Sequence, residues 1–293
     1  MPATSGSHYN SIRVLTIEEK EMYFRDTIVA GKTIMRFLKA TARVKTEKQE
    51  RAPRKYPTSE AVQKNNFRYA VRMLTAKLNH NFKTGDYHVT LTYKDLVSTE
   101  EAKKNLKRFL DNMRNYCRRN NIEFKWVAVT EYKHTRIHHH IVMSRVDLDA
   151  INKYWLHGYE YPVLLDDTGN YYRLAEYLLK ETEKTFREDG SPQKRRYTSS
   201  RNVKMPEVRR EKVSGREVDQ YIKVPAGYYI DEDTKRKYEH AILGVECMEY
   251  ILVSTENEPR IKRWRKGRAV NPRESFKDYE RQIDMAEMYD LEF

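Results

Sequence analysis

Cysteine is almost missing from this chain. Only Cys117 and Cys247 occur among 293 residues, far apart and outside any Cys-x-x-Cys spacing. That excludes a disulfide framework and a structural zinc cluster, and it fits a reducing compartment. No apolar run approaches the length needed to span a bilayer, so no membrane role is expected. The segment from Met1 to His8 lacks the charged and then apolar stretches of an export signal, and a cytoplasmic protein is expected. Internal repeats and low-complexity tracts are absent as well, which sets aside solenoids and fibrous arrays.

Positive charge, by contrast, is abundant. Lys and Arg number 56 against 43 Asp and Glu, giving a formal charge of +13 and an isoelectric point near 9.4. An excess of one sign, clustered along the chain, favours a polyanionic partner, because Lys and Arg gain by displacing counterions from phosphates. The 22 tyrosines suit base stacking where their rings are exposed, although many will belong to the core.

Residues 17–42 look helical with a loose period, and a basic, proline-interrupted connector runs from Lys45 to Lys55. A clearer helix spans Ser59 to Asn79, where Phe67, Val71, Leu74 and Leu78 repeat at helical spacing. The pattern changes after Gly85. Tyr87 to Tyr93 is β-branched and aromatic, as in a strand. Ser98 and Glu101 form a capping box, opening a helix with an apolar stripe of Leu106, Phe109, Leu110 and Met113. Phe124 to Glu131 and Ile137 to Ser144 read as antiparallel strands across a polar turn. Asp147 can cap a short helix carrying Leu148, Ile151 and Trp155, with Gly158 at its exit. A strand from Tyr159 to Leu165 and a helix from Tyr171 to Lys184 complete the series.

The order β-α-β-β-α-β is that of two split βαβ units. It predicts an α+β, ferredoxin-like fold: a central antiparallel sheet with packed helices, flanked by a helical N-terminal and a basic C-terminal extension. Three parts are expected: residues 1–84, 85–185 and 186–293. Within the last, residues 187–216 read as a mobile basic arm or hairpin carrying Arg195, Arg196, Arg201 and Lys204. Tyr221 to Ile230 and Ala241 to Val253 contain strand-like stretches.

The chemistry concentrates in two places. On a strand, His138 and His140 project to one face while Ile137, His139 and Ile141 project to the other. Two imidazoles about 7 Å apart can share one divalent metal. A hard cation prefers oxygen, and Glu131, across the turn, is the candidate third ligand. Its ordinary alternative is a surface carboxylate at a strand end. His139 is expected to be the packed partner, and His134 a surface residue of the turn. On the later helix, Tyr171, Leu174, Ala175, Leu178 and Thr182 fall on one side at 100° per residue. Tyr177 lies off that stripe beside Arg173, Lys180 and Lys184, a face suited to a phosphate and to a phenolate nucleophile. Tyr171 and Tyr172 are alternative nucleophiles but lack a lysine at the same offset.

Val89 to Tyr93, His138-His139-His140 and Tyr177-Leu178-Leu179-Lys180 resemble the three motifs of the HUH endonucleases, most closely the rolling-circle replication initiators of plasmids and phages. The middle position of the His-hydrophobic-His motif is itself histidine here. The resemblance covers about 85–185, and the tyrosine follows the histidines, as in initiators and single-tyrosine transposases. It implies a single-stranded DNA nickase and strand transferase acting at an origin, expected to be a hairpin. Mg²⁺ or Mn²⁺ would be held by His138, His140 and Glu131. Tyr177 would be the nucleophile, with Lys180 beside the phosphate, and Arg173, Lys184, Arg195, Arg196, Arg201 and Lys204 are expected to bind DNA. A P-loop pattern is absent, so unwinding is assigned to a host helicase and extension to a host polymerase. A single-tyrosine transposase and a non-catalytic nucleic-acid-binding module of the same fold remain as alternatives.

Overall fold

The computed structural model describes residues 23–40, 60–132, 136–186, 195–240, 244–256 and 268–270. The connector from Lys45 to Lys55, His134, residues 187–194 and most of the chain after 256 lie outside them. The elements are β1 (Tyr23–Ala30), β2 (Thr33–Ala40), α1 (Glu60–Asn81), β3 (Tyr87–Thr92), α2 (Thr99–Arg119), β4 (Trp126–Glu131), β5 (His138–Met143), α3 (Leu148–Tyr154), β6 (Glu160–Leu164), α4 (Tyr172–Phe186), β7 (Thr198–Ser199), β8 (Val208–Val213), β9 (Tyr228–Glu239), β10 (Glu246–Ser254) and β11 (Arg268–Val270). No helix among the described residues is long and apolar enough to cross a membrane.

The central part follows the expected α+β plan. An antiparallel sheet has the order β6-β3-β5-β4-β7, which is the order two split βαβ units require, with the short β7 added at one edge. Ser98 caps α2 by accepting from the Glu101 N–H at 3.2 Å. Asp147 caps α3 by accepting from the Asp149 N–H at 3.1 Å. Val89, Leu91, Ala128, Ile141 and Met143 bury one face of the sheet against Phe109 and Met113 of α2 and Ile151 of α3. Val127, Val129 and Val142 bury the other face against Val71, Leu74 and Leu78 of α1 and Ala175, Leu178 and Leu179 of α4. A helix therefore lies on each side of the strand that carries the histidines.

The N-terminal flank differs from the expected helix. Residues 23–40 form a β-hairpin, β1–β2, closed by Gly31 and Lys32. Both strands are buried over most of their length, so their apolar residues run almost continuously and lose the alternation that marks a half-exposed strand. The turn needs Gly31: its φ is +55°, and a Cβ there would sit 2.1 Å from the Asn79 carbonyl oxygen.

The mobile arm or hairpin expected over residues 187–216 carries β7 and β8 in its described part, and the stretches expected to be strand-like, Tyr221 to Ile230 and Ala241 to Val253, hold the start of β9 and most of β10. β8, β9, β10 and β11 join the N-terminal hairpin in a second sheet of order β11-β8-β1-β2-β10-β9. Arg209, Arg210 and Lys212 are strand residues there, and Tyr221 to Gly227 precedes β9 instead of forming a strand. The hairpin of residues 23–40 thus folds together with the described strands after residue 207. Asp26 of β1, wholly buried, is paired with Lys39 of β2 at 3.1 Å and with Arg210 of β8 at 2.7 Å. Helix α1 is shared by both sheets, packing on β4 and β5 through one side and on Ile28, Met35 and Ile251 through Ala76 and Met73. Asn79 ties its last turn to both neighbours, donating to Thr33 Oγ1 at 3.0 Å and accepting from the Tyr171 N–H at 2.8 Å.

Candidate active site

The ladder between β4 and β5 sets Glu131 directly opposite His138 and Val129 opposite His140. Because alternate residues share a face, Glu131, His138, His140 and Val142 look toward α1 and α4. β3 flanks β5 on its other side, with Thr92 opposite His138, Thr90 opposite His140 and His88 opposite Val142. His139 points to the other face as expected. It is fully buried, with Tyr93 Oη 2.9 Å from its Nε2 and Thr130 Oγ1 2.8 Å from its Nδ1.

α4 brings Tyr177 down onto this row. The phenol ring stands edge-on to His140 at 5.5 Å between centroids, and edge-on to His88 at 6.4 Å. His88 in turn stacks on His140 at 5.5 Å with planes 29° apart. Tyr177 still keeps 45% of its surface exposed. Its neighbours on the apolar stripe, Ala175 and Leu178, are fully buried, as the helical angle requires. The two alternative phenols are occupied in packing. Burial raises the pKa of Tyr171 and, less strongly, of Tyr172, which makes either a poor source of phenolate.

The imidazoles are held neutral. Burial, then the neighbouring His88 and His138, push His140 down to about 4, and burial alone lowers His88. A neutral imidazole is the form that donates a lone pair to a metal. Thr90 Oγ1 lies 3.2 Å from His140 Nδ1 and fixes the ring through that atom, leaving Nε2 for a ligand. His88 Nε2 is buried and has no hydrogen-bond partner among the described residues, a group whose cost a ligand would relieve. Two nitrogen donors and one carboxylate on one face fit a divalent cation of the Mg²⁺ or Mn²⁺ class. Among the described residues, no three His, Cys, Asp or Glu side chains are already gathered at ligating distances.

Beside the phenol a cleft of about 660 Å³ opens between α4 and β9, lined by Arg173, Tyr177 and Lys180 together with Lys235 and Arg236. Lys180 is exposed and 3.5 Å from Glu176 one turn earlier, and Arg173 reaches across to Asp233. Arg195, Arg196, Arg201 and Lys204 do not gather here. Arg196 turns inward to Glu183, over the Phe67 ring, and burial lowers it to about 10. Arg195 and Arg201 are exposed on the α2 side of the sheet, near Lys107, Arg114 and Arg118. Lys204 is also exposed, its backbone bonded to the Asn81 side chain. The Lys184 side chain lies outside the described residues.

Sequence reasoning missed His88, Thr90, Lys235 and Arg236. His88 and Thr90 alternate with Val89 and Leu91, and this period-2 signal was enough to place them on the histidine face once β3 and β5 were paired. Nothing local marks Lys235 and Arg236, which reach the cleft only because β9 belongs to the second sheet.

Residues 86–186 match the model of a family described as replication-associated protein ORF2/G2P. The matched span runs from the start of β3 to the end of α4, so it contains His138, His140 and Tyr177. No curated protein and no solved structure matches the chain.

Proposed function

We propose that this chain is a rolling-circle replication initiator that nicks single-stranded DNA at an origin and rejoins it. The observation that carries the reading is the placement of the Tyr177 ring against His140 and His88, half exposed, on the face where Glu131 and His138 stand opposite one another. The similarity of residues 86–186 to replication-associated proteins supports the biological setting.

In this mechanism Tyr177 Oη attacks a backbone phosphorus and gives up its proton. The bond to the 3′ oxygen breaks, and that oxygen leaves, taking up a proton as a 3′-hydroxyl. The 5′ phosphate stays on the enzyme as a phosphotyrosine ester, so a later 3′-hydroxyl can reverse the step and seal the strand. His138, His140 and Glu131 would hold Mg²⁺ or Mn²⁺, which would supply Lewis-acid polarisation of the phosphate. Lys180 and Arg173 neutralise the charge that builds on the phosphoryl oxygens, with Lys235 and Arg236 adding positive potential across the cleft. His88 and His140 wall the phenol in and limit its orientations. The released 3′-hydroxyl primes a host polymerase, and unwinding falls to a host helicase.

A labelled single-stranded oligonucleotide carrying the origin hairpin tests this. With Mg²⁺ or Mn²⁺ it should yield a covalent protein–DNA adduct. Tyr177→Phe should abolish the adduct while leaving DNA binding within twofold. An undiminished adduct from that variant would eliminate Tyr177. His138→Ala combined with His140→Ala should remove metal-dependent cutting, and normal cutting by that double variant would refute the metal assignment.

A further inference from the structure

The sheet face that carries the histidines does not end at β3. Across the ladder, Thr90 pairs with Tyr161 of β6 on one side and His140 on the other. Thr92 donates its N–H to the Tyr159 carbonyl at 2.8 Å and stands opposite His138. Tyr161, Thr90 and His140 therefore form one row, and Tyr159, Thr92, His138 and Glu131 the next, all on one face. The helices α1 and α4 cover this face at Val127, Val129 and Val142 but stop short of β6. Tyr159 and Tyr161 are each 57% exposed, and Val163 beside them is 60% exposed. Neighbouring strands are about 4.8 Å apart, so this apolar strip lies about 10 Å from the strand of the metal-binding pair.

Exposed rings at a sheet edge can serve a second copy of the chain that adds a strand. The backbone of β6 argues against that occupant. Leu165 donates to the Asp86 carbonyl at 2.7 Å and Thr92 donates to that of Tyr159, so the odd-numbered residues of this segment turn their polar groups toward β3. Glu160, Pro162 and Leu164 turn theirs to the outer edge. Pro162 has no N–H, which interrupts the donor row an added strand would need. What β6 offers is side chains, and side chains of the kind on which bases stack.

We infer that Tyr159 and Tyr161 form a stacking platform for nucleobases of the single strand next to the scissile phosphate. The inference rests on the proposed function for its choice of ligand. The rows place the platform in line with His138 and His140, and the chain's charge of +13 favours a polyanion. Stacking on a ring is indifferent to base identity, so the platform would position DNA without selecting its sequence. Each stacked base contributes about 5- to 150-fold in affinity.

The test uses the full chain in EDTA, where cutting plays no part. Affinities are measured by fluorescence anisotropy for a labelled dT 20-mer and for an abasic 20-mer of the same backbone. The native protein should favour the base-bearing strand by about 25-fold or more, two rings at about fivefold each. Tyr159→Ala combined with Tyr161→Ala should lose that preference and keep its affinity for the abasic strand. Tyr159→Phe with Tyr161→Phe should retain the preference. A double alanine variant that still discriminates the two strands, or that weakens equally on both, would overturn the platform. So would a native dimer that the alanine pair splits while strand preference is unchanged, which would assign the surface to a second copy. Adduct formation separates the two readings: a preserved base preference without any adduct removes only the nickase, and an adduct without base preference removes only the platform.

Discussion

Replacing Asp26 with asparagine tests whether the hairpin β1–β2 and the distant strand β8 pack as one sheet. Asp26 is fully buried in β1, Lys39 of β2 is 2% exposed, and Arg210 of β8 is 10% exposed at the side chain. Asp26 Oδ2 accepts from Lys39 Nζ at 3.1 Å, and both oxygens accept from Arg210 at 2.7 and 2.9 Å. An amide in place of the carboxylate keeps one acceptor and loses the negative charge that Lys39 and Arg210 share. Breaking a buried pair in this way costs about 3–5 kcal/mol, because the cation left behind has no water to return to. Arg210, nearer the surface, can recover some hydration, so the lower half of that range is expected. Replacing the whole cluster by Asp26→Leu, Lys39→Met and Arg210→Leu removes all three charges together and should recover most of the loss, ending within about 2 kcal/mol of the native chain. Urea unfolding followed by tyrosine fluorescence and far-UV circular dichroism measures both. A single-variant loss below about 1 kcal/mol would show that these strands are not packed as described. A triple variant as unstable as the single one would show that the charge cluster is not the cause.

Further outcomes follow from the same structure. His139, His140 and His240 are buried and held down to about 3, 4 and 4, chiefly by desolvation. The unfolded chain therefore binds more protons between pH 6.5 and 4.5, so stability should fall as pH falls, by about 1.4 kcal/mol per pH unit for each group; urea midpoints that stay level from pH 7 to 5.5 would contradict this. Gly158→Ala puts a Cβ 2.2 Å from the Thr92 carbonyl oxygen, and the end of β3 must shift. We expect a loss of about 2 kcal/mol or more and a slower adduct, since Thr92 stands opposite His138. His88→Ala opens one wall around Tyr177 and should lower the adduct rate about tenfold with little change in DNA affinity; an equal fall in both would make His88 a binding residue instead. Binding to single strands should weaken with a log–log salt slope near −3.5 if about five cations meet phosphates, and a flat salt response would refute a phosphate-tracking surface.

The sequence by itself determined the central sheet, its helices and the faces on which His138, His140 and Tyr177 stand. Burial alternates along β3 and the helices bury one stripe, so period 2 and period 3.6 survive in their residue order; β4 and β5, covered on both faces, show instead as short apolar runs flanking a polar turn, and Ser98 and Asp147 mark the helix starts. The side of α4 that carries Tyr177 and the facing of His138 and His140 follow from the same periodicities. Tertiary structure alone decided the rest. The hairpin of residues 23–40 is buried on both faces, which erases the alternation, and its partners β8 and β10 lie about 180 and 210 residues away along the chain. Pairing over such separations leaves no local signature. For the same reason, only the folded chain shows that Lys235 and Arg236 line the cleft beside Tyr177, that Arg196 is committed to Glu183, and that Tyr159 and Tyr161 continue the histidine rows to an open edge.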